Sequence, residues 1–479
     1  MTLKQQAVSG VKWGSISMGA VTVLQFVTLT ALARVLSPSD FGLMGMVMVV
    51  IGFVQAFADI GISNAIIHRQ NPTRNHLSSL YWLNILAGVI VFCLVCAFTP
   101  LVVEFYREPR LPSLLCLTAV IFLITPFGQQ FQILLQKELR FNWLAKTEVV
   151  TAVTNTTVAI VSAFAGFGVY SIIFGQLAAT CAKTALLCWV GWRQWHPSFH
   201  FAKRDLEGYL SFGLYQIGER TANYLSSNID YIIVGRFLGS SALGFYTLAY
   251  QIAIFPLTKV NPIITKVMLP IFAKIQNDNS NFRRGYNEMM HYIALLSFPM
   301  MIGMSVVAPE FVTLFLGEKW VPCVSVLQIL CLIGLLKSLG NPIGAVLLAK
   351  GRADIGLYCN IIAAIVVSIA VIIGVNWGID GVALVILISQ VPLFFIIQAI
   401  VNRLIGMRMI EYLKVLTTPL VCSTVMVLSV FFLKKLMGNM GSHWMFATTV
   451  IVGTMVYIVI CYLKDKKTFI NVATAIRGY

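Results

Sequence analysis

Apolar residues fill this chain in runs of roughly 20 to 29, joined by short polar segments. A helix needs about 20 mostly apolar residues to cross a bilayer core, at about 1.5 Å rise each. Fourteen runs meet that length, at about 12–36, 41–66, 78–101, 112–135, 145–165, 169–192, 208–236, 242–268, 288–308, 322–348, 355–375, 380–402, 412–433 and 443–463. The joints are short and several carry Gly, Pro or Ser, so none can fold as a soluble domain. The pattern predicts an all-α polytopic membrane protein with about 14 transmembrane helices.

One run departs from the others. Ser211 to Arg236 is long enough to span, yet Glu219, Arg220, Asn223, Asn228 and Asp230 lie inside it. On the helical period, Tyr215, Glu219, Asn223, Ser226 and Asp230 form one stripe. Arg220, Tyr224, Ser227 and Tyr231 form the stripe beside it. A charge facing lipid costs several kcal/mol. Such a face is expected to line protein or a water-filled cavity.

Composition agrees with a membrane chain: of 479 residues, 58% are hydrophobic and 11% charged, and mean hydropathy is +0.85. Soluble domains carry about 25% charged residues. The net charge of +16 would suggest nucleic acid in a soluble protein. Here it follows topology. With the N-terminus in the cytoplasm, 22 Lys and Arg fall on the cytoplasmic side and 7 on the far side. That bias is the positive-inside pattern. It leaves both termini cytoplasmic and removes the need for a nucleic-acid partner. The start from Met1 to Lys12 is short and basic, and the apolar run after it is too long for a signal peptide, so the first span is expected to remain.

Five basic residues are left inside spans: Lys183, Arg220, Lys259, Lys266 and Lys337. Lys266 lies near a helix end and is expected to snorkel. Each of the others admits two readings, an internal salt bridge or snorkelling on one hand, a ligand contact on the other. Glu219 cannot serve Arg220, because neighbours in sequence do not face each other on a helix. The ten cysteines lie almost all in apolar runs, so Cys93 and Cys96 read as membrane filler rather than a redox or metal pair. Pro197 breaks any helix between His196 and His200. No metal cluster, nucleophile–base set or phosphate-cradling Gly loop stands out, so no cofactor is expected and no ATP hydrolysis.

The chain repeats itself. ALARVLSPSDFGL at 31–43 matches IVGRFLGSSALGF at 233–245, pairing Arg34 with Arg236 and Gly42 with Gly244. Phe105, Glu108 and Pro112 match Phe315, Glu318 and Pro322, and LLQK at 134–137 matches LLAK at 347–350. Three matches in one order point to a duplication of six spans. Six is even, so the halves keep one orientation and are related by a pseudo-two-fold along the membrane normal. The expected plan is an N-terminal lobe 1–205, a second lobe 206–405, and two extra spans with a tail at 406–479. Span 1 then mirrors span 7, and the cavity is expected between the halves. Asp59, with Gly61, Ser63 and Asn64 behind it, reads either as part of a cytoplasmic gate with Lys259, or as a group that caps a helix turn or pairs with a loop Arg such as Arg69. Pro262 and Pro270 can kink span 8, and GNPIG at 340–344 suggests a broken or kinked span 10.

Several motifs carry a family resemblance: Phe41-Gly42-Leu43, DIGISNAII from Asp59, LYWLN from Leu80, GQQFQILLQKELRFN from Gly128, NPIITKVMLPIFAKIQND from Asn261, LGEKW from Leu316 and LLKSLGNPIGAVLLAKGRAD from Leu335. With the six-plus-six-plus-two plan, the chain resembles the MOP exporter superfamily, and within it the Wzx-type polysaccharide repeat-unit flippases. The resemblance implies two helical lobes around a cleft in a bacterial inner membrane. It implies export of an undecaprenyl-diphosphate-linked oligosaccharide from the cytoplasmic to the periplasmic leaflet, with membrane lipids around it and a polysaccharide polymerase as a candidate partner. On that reading Arg220, Lys259, Lys183 and Lys337 are the diphosphate candidates. Gln25, Thr28, Asn223, Tyr224 and Tyr231 are the sugar candidates, and Glu219, Asp230 and Asp59 the ion-coupling or gate candidates. A multidrug antiporter of the same fold would favour an acidic, aromatic cavity without these cations. A membrane polymerase or ligase would be expected to carry a long far-side loop, and the joints here are short.

Overall fold

A computed structural model of the chain describes residues 3–58, 73–202, 210–276, 278–438 and 441–466. Asp59 and its DIGISNAII run lie outside these residues. The backbone of Glu219, Arg220 and Lys259 is helical, but their side chains are outside what is described, as are those of Tyr215, Asn261 and Lys266.

Among the described residues the regular structure is all helix, with short 3-10 and π turns and irregular joints such as 192–202. The helices are α1 (Leu3–Val35), α2 (Pro38–Ala58), α3 (Arg74–Tyr106), α4 (Leu111–Lys137), α5 (Phe141–Phe164), α6 (Tyr170–Gly191) and α7 (Leu210–Lys274). They continue as α8 (Asn279–Phe311), α9 (Val324–Ala349), α10 (Ala353–Gly374), α11 (Gly378–Ile405), α12 (Met409–Met437) and α13 (Ser442–Lys464). Gly239 breaks α7 with φ 81° and ψ −179°, leaving limbs 210–238 and 240–274. Among the described residues, 12 stretches are long and apolar enough to cross a membrane. Two of them, Asn223–Thr258 and Asp354–Ile405, each run through a break and hold two helices. Each of the fourteen expected spans is helix as far as the described residues cover it, the second only to Ala58. The chain is a multi-pass membrane protein.

Local chemistry sets the helix ends. Ser37 and Asp40 form a capping box at the start of α2: Asp40 Oδ2 accepts from Ser37 N at 3.0 Å, and Asp40 N donates to Ser37 Oγ at 3.3 Å. Asp278 caps α8 by accepting from Ser280 N and Asn281 N at 3.0 and 3.1 Å. Gly406 ends α11 in the left-handed region. Of the break or kink that GNPIG suggested, the break is absent. α9 runs unbroken through Gly340 to Gly344, because Pro342 removes one backbone donor without ending the apolar packing on either side.

Contacts divide the chain into two compact units, Met1–Gly244 and Phe245–Tyr479. In the first, α5 packs on α1 and α6, and α4 packs on α3 and α6. Leu80, Tyr81, Phe131, Leu187 and Trp195 form a core there. The repeat-related glycines meet within this unit. A Cβ on Gly42 would strike Ser240 O, and a Cβ on Gly244 would strike Pro38 O. Pro38 and Ser240 are themselves equivalent in the repeat, so the contact is reciprocal, as an isologous contact is. Only glycine permits this approach of the α2 and 240–274 helix starts.

In the second unit, α8 is the hub, packing on α9, α12 and α13. Tyr286, Gln398 and Asn402 are fully buried and satisfy one another: Tyr286 Oη lies 3.1 Å from Gln398 Oε1, and Gln398 Nε2 donates to Asn402 Oδ1 at 2.8 Å. Lys434 of α12 is tied to α8 by an ion pair to Glu310 at 2.7 Å and a hydrogen bond to Val306 O at 2.8 Å. Both side chains are mostly buried, 16% and 13% exposed, so each needs the other.

Two outcomes follow. Gly42→Ala or Gly244→Ala is expected to cost about 1–3 kcal/mol by overpacking. Gly340→Ala, whose Cβ would meet nothing within 4 Å, is expected to be neutral. Melting curves of the purified variants in detergent separate the two cases. Lys434→Met strands the Glu310 carboxylate and is expected to cost about 3–5 kcal/mol. Adding Glu310→Gln should recover part of the lost melting temperature.

Candidate functional site

Polar side chains at membrane depth in the first unit lie on α3 and α4, where Asn84 Nδ2 donates to Gln129 Oε1 at 3.1 Å, and on α1, α5 and α6, where Glu148 and Lys183 are. α5 contains TEVVTAVTNTT, and its most apolar window has mean hydropathy 1.2, the lowest of the twelve stretches. Most of its threonines are spent locally. Thr147, Thr151 and Thr154 donate to the carbonyls of Trp143, Thr147 and Val150 at 2.9, 2.7 and 2.9 Å. Thr156 meets Thr28 of α1 at 2.7 Å. Thr28 therefore joins two helices.

Glu148 is different. It is exposed, yet it lies seven residues inside α5, about 10 Å from the helix start. Its Oε2 lies 3.2 Å from Ser17 Oγ of α1, whose single proton is shared between Glu148 and the Gly14 carbonyl at 3.1 Å, and Ser17 is buried. Lys183 of α6 is half-buried and lies eight residues from the end of its helix, about 12 Å. Among the described residues its ammonium makes no hydrogen bond and no close ion pair. α5 and α6 pack with Gly175 against Asn155 and Ala159, an antiparallel register that brings Lys183 level with Glu148, the one charge among the described residues that acts on it. An exposed carboxylate and an unbonded ammonium at that depth face water, because facing lipid would cost several kcal/mol each.

The remaining candidates divide by surroundings. Gln25 and Asn223 are exposed. Tyr224 Oη donates to Met48 O of α2 at 2.9 Å, and its ring lies against Gly52. Tyr231 and Asp230 are buried, and Asp230 Oδ1 accepts from Tyr231 N at 3.0 Å. In the second unit, Lys337 of α9 is exposed and donates to Tyr250 Oη at 2.9 Å, with its ammonium 5.0 Å from the ring centroid. Tyr250 stacks on Tyr246 at 6.3 Å. Glu219, Arg220, Lys259 and Asp59 lie outside the described side chains.

Three of these residues escaped sequence reasoning: Ser17, Glu148 and Tyr250. Glu148 could have been found, as a lone carboxylate inside the least apolar span. Ser17 and Tyr250 could not, since each matters through a partner far away in sequence. Elsewhere in the second unit, α8, α12 and α13 enclose an apolar crevice of about 430 Å³, with Met300, Gly303, Met426, Gly453 and Tyr457 on its walls. No charged side chain lines it, so it suits a hydrocarbon chain rather than a sugar.

The comparisons with known proteins bear on this geometry. The family described as "Polysaccharide biosynthesis protein" matches residues 31–325. The teichuronic acid biosynthesis protein TuaB of Bacillus subtilis is 37% identical, over 86% of this chain and 83% of that protein. The lipopolysaccharide biosynthesis protein WzxC of Escherichia coli is 36% identical, over 82% of this chain and 80% of that one. Among solved structures, the lipid II flippase MurJ in its inward closed conformation superposes with TM-score 0.78 at 15% identity, covering 95% of this chain and 99% of that one. That likeness fixes the fold; the sequence matches fix the kinship, and by them the chain belongs to the polysaccharide biosynthesis protein family.

Proposed function

We propose that this chain is a transporter that moves a lipid-linked oligosaccharide, joined to undecaprenol through a diphosphate, from the cytoplasmic to the periplasmic leaflet of a bacterial inner membrane. The observation that carries this reading is Lys183, a half-buried lysine well inside a membrane-spanning helix, with no bonded partner among the described residues. A lysine in that state is a point charge waiting for an anion. The kinship to a polysaccharide biosynthesis family selects which anion.

The chemistry is consistent throughout. The sugar head cannot cross hydrocarbon alone, while the isoprenoid tail can stay in lipid. A wet polar face lets the head move and leaves the tail outside. Lys183 and Lys337 are the described cations suited to the diphosphate, and Arg220 and Lys259 are assigned the same role. Gln25 and Asn223, exposed amides, suit sugar hydroxyls, and Tyr250 offers an aromatic face beside Lys337. Thr28, Tyr224 and Tyr231 support the wall through their packing rather than by contact with sugar. Glu219 or Asp230 is assigned the coupling ion, and Asp59 the cytoplasmic gate. Both termini are assigned to the cytoplasm by the Lys and Arg bias. The exported unit is the substrate of a polymerase, the partner that this role implies.

Deleting the gene is expected to trap lipid-linked oligosaccharide in the cytoplasmic leaflet, and the wild-type gene to release it. Lys183→Gln and Arg220→Ala each lose a charge-assisted hydrogen bond, which corresponds to about a tenfold or larger fall in export. Polymer export per cell, normalised to protein level, reads the effect. Normal export by both variants would refute the assignment of these cations. Collapsing the proton and sodium gradients is expected to stop export. Unchanged export would remove ion coupling.

A further inference from the structure

Lys183 and Glu148 are set apart rather than joined. In a structural ion pair at this depth the ammonium and carboxylate would meet within about 3 Å and bond directly. The Lys434–Glu310 pair in the same chain, nearer its helix ends, does so at 2.7 Å. Glu148 instead accepts from Ser17, and Lys183 bonds to nothing among the described residues. Lys146 does not compete for Glu148. Its ammonium lies over Trp143 and Trp13, 4.7 and 6.0 Å from their centroids. Glu148 therefore offsets the charge on Lys183 from a distance while leaving its three donors open. An ammonium with no counter-charge would hold its own solvent or an anion tightly. One with a bonded partner would be closed to ligands. The observed arrangement lies between the two.

From this geometry we infer that Glu148 is a positioning residue for transport. It is the resting counter-charge of Lys183, held back by Ser17, and it lowers the affinity of Lys183 for the substrate's diphosphate so that the diphosphate can leave. This rests on the function proposed above. When the diphosphate arrives, Lys183 donates to a phosphate oxygen while Glu148 stays with Ser17. The like charge of Glu148 and its pull on Lys183 then favour release. The cycle needs no covalent step and no transfer of a proton. Ser17 has the second part. Without its hydroxyl, the Glu148 side chain is free to swing to Lys183 and close it.

The two residues therefore predict effects of opposite sign, which a purely structural role would not produce. The experiment is titration of the purified full-length protein in detergent with undecaprenyl diphosphate. Glu148→Gln is expected to tighten binding by about tenfold, the effect of removing one nearby charge at intermediate dielectric. It should also lower both KM and kcat for export, because release slows. Ser17→Ala, which keeps the carboxylate, is expected to weaken binding. In a Lys183→Gln background the gain from Glu148→Gln should shrink to less than about threefold, since the effect acts through that lysine. Binding unchanged by Glu148→Gln, a shift of the same sign in both variants, or a full gain without Lys183 would each overturn the inference alone. Wild-type protein that binds no undecaprenyl diphosphate would overturn the proposed function itself.

Discussion

Hydrocarbon offers no hydrogen bonds. That single constraint governs this chain, because every backbone group must be satisfied within its helix and every polar side chain must find a partner or reach water. The consequences are visible residue by residue. Thr22, Thr99, Thr180 and Ser368 donate to carbonyls one turn back in their own helices. Tyr286, Gln398 and Asn402 close a polar trio inside an otherwise apolar core. Lys434 and Glu310 neutralise each other. Some neutral groups, such as Gln176 Oε1 and Ser297 Oγ, are buried without a hydrogen bond; Lys183 and Glu148 differ from them in being charged, deep and not bonded to each other.

Small residues act within the same constraint. Lipid supplies little force to press helices together, so close backbone approach has to do that work. Gly42 against Ser240, Gly88 against Phe122 and Gly175 against Asn155 are such approaches in the first unit, and Gly374 against Gly381 is one in the second. The duplication left its clearest trace in one of them. Gly42 and Gly244, matched in sequence, are the residues whose backbones meet. The cations Lys183 and Lys337 are not repeat equivalents: Lys183 lies in the sixth span beside a glutamate, and Lys337 in the tenth, against a tyrosine.

Much of the fold was legible in the sequence for the reason that spans must be long, apolar and helical. All fourteen runs are helices over their described residues, and the break at Gly239 and the joint at Ser37 fall where polar, Gly or Pro residues had marked them. The site was legible only in part. Periodicity puts Asn223, Tyr224 and Tyr231 near one another on a helix, but it does not say which neighbour each will meet. Tyr224 reaches a carbonyl on α2, 176 residues away in sequence, and Tyr231 is buried. Lys183 could be singled out as a charge in a span, but its two readings differ only in whether a partner bonds it. That depends on how α1, α5 and α6 pack, and so on Ser17 drawing Glu148 away.

Kinship and physics converge on one activity, the passage of a charged, sugar-bearing lipid head through a wet protein face. The most direct measurement uses purified protein in liposomes, with undecaprenyl-diphosphate-linked oligosaccharide placed in one leaflet and read by an impermeant lectin or glycosidase on the other side. The protein should make the lipid accessible across the bilayer at a rate that rises with protein content and is lost with Lys183→Gln. Liposomes in which the lipid stays in its leaflet, whatever the protein content and ion gradient, would contradict it.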